Sequence, residues 1–356
     1  MKKIAKIIVI AILIIIIGLF GAYKILTRPV SDNIEEKIIE IPMGSGSTEI
    51  AQILKENNII RNELGFRIYV KIKNISNFQA GTYYLKESMD LKEITEMLQT
   101  GIMFDPNQIT ITYLEGKPMW WLAETIAERT NNTEEDVYQV LENEAYIDEL
   151  IDKYWFLTDE IKDKNIYYPL EGYLFPDTYA ISNKDAEVKE IFEKMLDEME
   201  QVLNEYKAEI EASEYTIHEI ITLASIVEKE GLSDEERKNV ASVFYNRLDL
   251  GMSLGSDVTT YYSVKANMGD RDLYQAEIDR YNPYNTRGPN MEGKLPVGPI
   301  SSIGRVSLEA AIEPNDTDYL FFVADKNGKL YFTKTNSEHV QVINRLQNDG
   351  LWYEYE

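Results

Sequence analysis

The N-terminal segment constrains the chain most, because it divides the sequence into a membrane part and an exterior part. Three lysines precede an uncharged apolar run from Ile7 to Tyr23, and Lys24 and Arg28 follow it. The run is longer than the apolar core of a secretory signal peptide, and no small-x-small cleavage site follows. We therefore expect a retained membrane anchor at residues 7–26, with the N-terminus in the cytoplasm and the remaining chain outside.

Charge and composition exclude several classes of function. The formal net charge is −25, although residues 1–28 contain only basic ionisable side chains. A surface this acidic is a poor match for the phosphates of a nucleic acid, so we expect no nucleic-acid partner. The chain has no cysteine and only two histidines, neither in a metal-ligand spacing. We therefore expect no disulfides, catalytic thiol, bound metal or cofactor.

The pattern after the anchor predicts an α+β fold in two parts. Residues 1–28 form the cytoplasmic N-terminus and transmembrane helix, and residues 29–36 form a polar tether. For residues 37–115 the pattern predicts a small α+β module. Its strands are expected at 37–42, 81–85 and 108–114, and its helices at 49–57, 63–73 and 91–98. Residues 116–356 predict a mainly helical domain that ends in a β-hairpin.

Within this larger domain, helical spacing alternates with two irregular stretches. Helices are predicted at 121–129, 134–143, 146–154, 185–210, 216–230, 234–250 and 338–347. Ser233 and Glu236 have the spacing of a capping box. Asn327-Gly328 predicts a hairpin between strands at 319–324 and 329–335. Residues 168–179 and 255–304 lack periodicity, and a long aromatic-rich stretch of this kind is typical of a functional loop.

One carboxylate stands out by its position on a predicted helix. At 100° per residue, Glu228 lies on the same face as Ile217, Ile221 and Ala224, whereas Lys229 and Glu230 leave that face for water. Apolar surroundings and the helix C-terminus both favour a neutral acid, the form that protonates a glycosidic oxygen. Alternatively, Glu228 pairs with an arginine or caps a neighbouring segment, and its spacing alone does not decide between these interpretations.

Several ordered motifs extend over nearly the whole chain. They are LEGYLFPDTY at Leu170–Tyr179, LASIVEKE at Leu223–Glu230, VASVFYNRL at Val240–Leu248, Tyr284-Asn285-Thr286, LPVGPI at Leu295–Ile300, and Glu338-His339. In this order they resemble the endolytic murein transglycosylase (YceG-like) family. The chain departs from the family pattern in places. Val258 replaces a usual proline, and Arg287 replaces a common aromatic residue. Residues 287–294 are also altered, and Leu330 or its neighbour stands where a histidine is frequent.

The resemblance implies a membrane-anchored lyase that cuts peptidoglycan strands internally, with a LysM-like module between anchor and catalytic domain. Such enzymes break the β-1,4 bond between N-acetylmuramic acid and N-acetylglucosamine and leave 1,6-anhydro ends. The family's catalytic glutamate maps onto Glu228. Candidate substrate-binding residues in family-like segments are Asn246, Asp257, Thr259, Tyr284, Asn285 and Thr286. Peptidoglycan synthases and division proteins are further candidate partners.

Other interpretations remain open from sequence. A non-catalytic membrane-anchored scaffold that binds peptidoglycan or division proteins would use Glu228 only structurally, and a hydrolytic muramidase would leave ordinary reducing ends. Glu171 and Asp177 are expected to fix their own loop. The aromatic residues of the LysM-like module are mostly expected in its core; they are Phe66, Tyr69, Phe78, Tyr83 and Tyr84.

Overall fold

The computed structural model describes residues 21, 23–24, 26–100 and 108–352. They form two compact units, Met1–Gln108 and Ile109–Glu356. The anchor predicted at residues 7–26 lies almost entirely outside the described residues. Within the part of the chain that is described, no helix is both long and apolar enough to cross a membrane.

The first unit is a small α+β structure built on one strand pair. Strand β1 (Glu36–Ile41) runs antiparallel to β2 (Gly81–Lys86), with Ile39 opposite Tyr83. Its helices are α1 (Ser47–Glu56), α2 (Glu63–Ile72) and α3 (Leu91–Thr100). Alternate strand residues enter the core with the apolar faces of these helices, as the period-two pattern predicts. Of the module's candidate aromatics, Phe66, Tyr69 and Tyr83 are buried.

The second unit is mainly helical, with two separate strand pairs. Strand β3 (Ile109–Thr112) pairs antiparallel with β4 (Thr178–Ile181), and this pairing places β3 in the second unit. Helices α4 to α6 and a 3₁₀ turn lie between the two strands; they are α4 (Met119–Arg129), α5 (Glu134–Leu141), α6 (Glu144–Lys153) and the turn Asp159–Lys162. The sequence suggested a boundary at residues 115/116, and the two compact units meet at 108/109.

The structure corrects two predicted elements. The long helix expected at 185–210 is interrupted, forming α7 (Val188–Asn204) and α8 (Lys207–Ala212). A central helix pair follows, α9 (Ile217–Glu230) and α10 (Asp234–Asp249). The stretch expected to be irregular contains α11 (Asp257–Ser263) and α12 (Gln275–Ile278). Short helices had escaped detection because they carry too few turns to show a 3.6-residue period.

The C-terminal part follows the sequence prediction closely. The strand pair is formed by β5 (Phe321–Ala324) and β6 (Leu330–Thr333), and α14 (Asn336–Asn348) is the last helix of the described chain. Helix α13 (Arg305–Ile312), which precedes the strand pair, was not predicted. The two strands are antiparallel, and Gly328 in the turn has a φ of +84°, a conformation that favours glycine. The predicted hairpin is therefore confirmed.

Helix α9 is the centre of the second unit. Thr216 accepts a hydrogen bond from the Glu219 N–H, and the Glu219 carboxylate accepts one from the Thr216 N–H, so a capping box starts the helix. Residues from His218 to Val227 are almost all buried, and the helix packs against α10 and α13. The predicted capping box of Ser233 and Glu236 at the start of α10 is confirmed.

Glu171 joins the loop at 168–179 to two helices. Its side chain is buried and accepts hydrogen bonds from the Met119 N–H at 2.9 Å and the Tyr262 hydroxyl at 3.0 Å. Burial raises the pKa of the Glu171 carboxyl to about 8, although both hydrogen bonds oppose the shift. Glu171 is therefore a neutral acid at the core of the unit near neutral pH.

Because Glu171 is a neutral acid in the folded protein, the stability of the protein should depend on pH. Between an ordinary pKa of 4.5 and the folded value of about 8, the unfolded chain loses the proton while the folded chain keeps it. The free energy of unfolding should therefore fall as pH rises through this window, by on the order of 4 kcal/mol from this group. Denaturant unfolding of the wild type and of Glu171→Gln, measured from pH 4.5 to 8, isolates the effect. Parallel pH profiles for the two proteins would contradict it.

Candidate active site

Glu228 occupies the last turn of α9, and both of its carboxylate oxygens have donors. The Arg237 guanidinium donates to Oε1 at 3.1 Å, and the Gly304 N–H donates to Oε2 at 3.0 Å. The Glu228 side chain is only 5% exposed. Glu228 is therefore not in purely apolar surroundings, as its helical position suggested. It pairs with an arginine and accepts a hydrogen bond from the start of a neighbouring helix, which are the two alternatives that the sequence left open. Donors of this kind bind a carboxylate more strongly than a neutral acid.

Gly231 allows Arg237 to reach the end of α9. A Cβ at this position would lie 2.5 Å from the Arg237 Cγ and 3.0 Å from its Cα, closer than real Cβ atoms approach. Only a residue without a side chain lets the first turn of α10 pack this tightly on the end of α9. The Gly231 N–H also donates to the Val227 carbonyl, which closes the helix.

The segment 300–304 connects α9 to the turn after β3. The Ile300 N–H donates to the Ser225 Oγ at 3.0 Å, which ties the segment to α9. The Ser302 N–H donates to the Lys117 carbonyl at 2.9 Å, and its hydroxyl donates to the Leu114 carbonyl at 2.8 Å. Because these bonds hold both sides, the turn at 114–117 is brought beside the end of α9.

Glu115 lies in this turn and forms a second carboxylate beside Glu228. A Cβ on Gly304 would overlap the Glu115 carboxylate, so glycine at the start of α13 makes room for it. Burial raises the pKa of the Glu115 carboxyl, the Glu228 charge raises it further, and Arg237 opposes both. Glu115 therefore experiences the charges of both Glu228 and Arg237, which act on it in opposite directions.

Lys229 and Glu230 do not face water as the helical wheel predicted. The Lys229 ammonium donates to the Gly116 carbonyl at 3.1 Å, and the Ser256 hydroxyl donates to Glu230 at 2.6 Å. Burial raises the pKa of the Glu230 carboxyl, with Ser256 opposing and Asp257 adding to the shift. Loops from elsewhere in the chain cover this end of α9, and a helical wheel contains no information about them.

A cavity of about 120 Å³ lies between the turn at 114–117 and α11. Gly116 and Lys229 belong to its wall, and a Cβ on Gly116 would lie 3.6 Å from the Glu228 Cγ. Trp120 and Tyr262 form an aromatic side of the cavity, with ring centroids 5.3 Å apart. Glu228 therefore lies close to one residue of the cavity wall, although it does not itself line the cavity.

Two of the candidate substrate-binding residues lie toward the surface. Asp257, the first residue of α11, is exposed and paired with Arg287. The Asn246 amide donates to the Thr317 and Tyr319 carbonyls at 2.8 and 3.0 Å. Asn246 therefore ties α10 to the segment that leads into β5.

The other four candidates are buried and bonded within the protein; they are Thr259, Tyr284, Asn285 and Thr286. Thr259 and Thr286 share a hydrogen bond of 2.8 Å between their hydroxyls. The Asn285 amide donates to three backbone carbonyls of residues 277–280. The Tyr284 hydroxyl accepts from the Tyr167 N–H at 3.1 Å. These contacts fix the loop between α12 and α13.

The sequence analysis missed two residues of the site, Glu115 and Arg237. Glu115 precedes Gly116 at the end of a strand, and Arg237 lies in the first turn of a capped helix, so neither had a distinctive local pattern. Over the described residues, no group of three or more histidine or acidic side chains is arranged to hold a metal ion.

Comparison with known proteins identifies the family. A model of the YceG-like family matches residues 39–345, which include every segment of the site. The chain belongs to the YceG-like family. The matched region contains the resemblance motifs described above, so the predicted family is confirmed.

Relatives and a solved structure agree with this assignment. An endolytic murein transglycosylase of Bacillus subtilis is 39% identical over 330 residues, covering 92% of this chain and 89% of the relative. One from Streptococcus pneumoniae is 31% identical over 351 residues, covering 94% of this chain and 63% of its own length. A 2.6 Å crystal structure of a YceG-like protein from Listeria monocytogenes is 33% identical, with a TM-score of 0.61, and covers 86% of this chain and 99% of that one.

The packing at Gly231 predicts the effect of a single methyl group. Gly231→Ala should displace Arg237 and lower the free energy of unfolding by about 1–3 kcal/mol, because the Cβ has no space. Urea unfolding measures the change. Gly46→Ala is the matched control, since its Cβ meets nothing within 4 Å and its φ is −81°. Equal stability of the two variants would show that the α9–α10 junction is not tightly packed.

Proposed function

We propose that this YceG-like protein is an endolytic lytic transglycosylase with Glu228 as its general acid and base. It cleaves the β-1,4 bond between N-acetylmuramic acid and N-acetylglucosamine inside peptidoglycan strands. Relatives of that name that match over nine-tenths of the chain support the reaction. The observation that carries the choice of residue is the Glu228 carboxyl, which is shielded from solvent and adjoins Gly116 and Lys229 of the cavity wall.

This chemistry needs one carboxyl group. Glu228 donates its proton to the departing glycosidic oxygen as the bond to the muramyl C1 breaks. The resulting carboxylate then takes the proton from the muramyl C6 hydroxyl, whose oxygen closes the 1,6-anhydro ring on C1. No water enters the product, because the nucleophile belongs to the substrate and is already beside the reacting carbon.

The two donors on Glu228 suggest which oxygen carries the proton. Gly304 donates from the backbone at the start of α13 and cannot withdraw without moving the helix. Arg237 donates from the end of a long side chain that is 15% exposed, so a bound sugar can displace it. Oε1 is therefore the oxygen that transfers the proton, and Arg237 returns to stabilise the carboxylate afterwards.

Glu115 is a second carboxyl group at this site. Burial raises the pKa of the Glu115 carboxyl and the Glu228 charge adds to this, whereas Arg237 opposes that shift. Displacement of Arg237 by substrate would remove the opposing charge, so Glu115 would hold its proton more readily.

The candidate substrate-binding residues divide into two groups in this proposal. Asp257 is exposed and is the candidate for a direct contact with sugar hydroxyls, after releasing Arg287. Asn246, Thr259, Tyr284, Asn285 and Thr286 bind within the protein and contribute by holding the surrounding loops. Their polar atoms already have protein partners, so direct sugar binding would require a rearrangement.

In this proposal the protein acts outside the cytoplasm, where its peptidoglycan substrate lies. Residues 7–26 anchor it in the cell membrane with a cytoplasmic N-terminus, as the apolar run favours. The first unit, up to Gln108, is a LysM-like module, and the second unit, which begins at Ile109 and contains Glu115, is the catalytic domain. Phe78 and Tyr84, which are half-buried, are the candidate glycan contacts of the module. Peptidoglycan synthases and division proteins remain candidate partners.

Replacing the acid should abolish strand cleavage. Glu228→Gln should lower the cleavage rate by about 10²–10⁴-fold, because the amide has no proton to transfer. The measurement is the release of 1,6-anhydro ends from nascent glycan strands, identified by mass spectrometry. Glu230→Gln is the matched control on the same helix and should retain most of the activity.

Other results would identify the competing functions. Full cleavage by Glu228→Gln would reject this residue as the acid. No cleavage by the wild type, together with strand binding by both proteins, would favour the scaffold. In that case the Arg237 and Gly304 contacts of Glu228 are structural only. Products with ordinary reducing ends would identify a hydrolytic muramidase.

The anchor can be tested separately from catalysis. Full-length protein should sediment with membranes and be released by detergent but not by high salt, because an apolar helix holds it. A chain lacking residues 1–28 should appear in the soluble fraction. Release of the full-length protein by salt would contradict the anchor, since salt weakens only ionic attachment.

A further inference from the structure

The cavity beside Glu228 is too small for a whole sugar. Its volume of about 120 Å³ compares with roughly 300–1,000 Å³ for pockets that enclose complete small molecules. A site of this size has room for one substituent of a larger substrate that lies across the surface. Because Gly116 of the cavity wall lies next to the Glu228 side chain, such a substituent would belong to a sugar bound at Glu228.

The wall of this cavity is cationic in a strongly anionic protein. Lys117 and Lys229 both line it, and the lining residues that the structure describes include no aspartate or glutamate. The whole chain has a formal charge of −25, so two lysines on one small cavity depart sharply from the average surface. Burial and the charge of Lys117 lower the pKa of Lys229, while Glu228 and Glu230 oppose that shift.

The two lysines lie close enough for their charges to interact. Besides burial, the Lys117 charge lowers the pKa of Lys229. The Lys229 ammonium donates to the Gly116 carbonyl, and the Lys117 ammonium lies over the Trp121 ring, 5.7 Å from its centroid. Neighbouring cations repel, so this arrangement costs stability when nothing lies between them. An anion in the cavity would relieve that repulsion and gain charge-assisted hydrogen bonds.

Aromatic rings complete the site. Trp120, Tyr261 and Tyr262 line the cavity, and Trp120 stacks on Tyr262. Rings of this kind exclude water from a bound group and strengthen its electrostatic attraction to the lysines. The site thus combines an apolar wall with two cations, which suits a carboxylate on a partly apolar chain better than an uncharged sugar.

We propose that this cavity binds a free carboxylate of the peptide stem that muramic acid carries on its lactyl group. The inference rests on the proposed function and adds the substrate class: strands whose stems bear a free acid. N-acetylglucosamine is uncharged, and the lactyl carboxyl is consumed by the bond to the peptide, so the stem supplies the negative charge. Lys117 and Lys229 are then specificity residues for the same reaction.

The test compares two substrates that differ only in this charge. Strands are polymerised in vitro from a disaccharide-peptide precursor whose second stem residue has either a free carboxylate or a carboxamide. With the full chain, the ratio of kcat/KM for acid over amide strands should be about fivefold or more in the wild type, as expected for a partly buried ion pair. Lys117→Gln should bring the ratio close to one, and Lys117→Glu should reverse it.

The matched control is Lys164→Gln, which removes the same charge from an exposed site outside the cavity and should keep the wild-type ratio. Binding of soluble acid and amide disaccharide-peptides to Glu228→Gln gives the same ratio without cleavage. Absence of cleavage by the wild type, with the binding preference intact, would reject the proposed function but keep the subsite. Equal binding of acid and amide, or an unchanged ratio in Lys117→Gln, would overturn the subsite.

Discussion

The carboxylate of Glu228 is held by two donors that come from different parts of the chain. One is a guanidinium on α10 and the other a backbone N–H at the start of α13. A carboxyl group this far from solvent needs hydrogen-bond partners of this kind for its oxygens. The cavity, the neighbouring Glu115 and the cationic wall are all placed relative to this one fixed group.

The donors reach Glu228 because small residues leave space at the end of α9. Gly231 lets Arg237 approach, and Gly304 leaves room for the Glu115 carboxylate. Serines 225 and 302 then fasten the segment 300–304 to the helix on one side and to the 114–117 turn on the other. This hydrogen-bonded bridge explains how residues more than a hundred positions apart form a single site.

Sequence patterns were reliable where the cause of the structure is local. The capping box of Ser233 and Glu236 and the turn at Asn327-Gly328 were both predicted, since each depends on side chains a few residues apart. The interruption of the helix after Asn204 and the pairing of β3 with β4 were not predicted. The partner of β3 lies 66 or more residues further along the chain, and a pairing at that distance leaves no periodic pattern in the sequence of β3.

The sequence by itself determined that α9 forms, that Glu228 lies on its buried side, and which family the motifs resemble. Only the tertiary structure decided the partners of Glu228, the approach of Glu115, and the covering of Lys229 and Glu230 by loops. The Gly304 N–H lies 76 residues from the carboxylate that it binds. Helical periodicity fixes the direction of a side chain, whereas the atoms it meets depend on how distant segments pack.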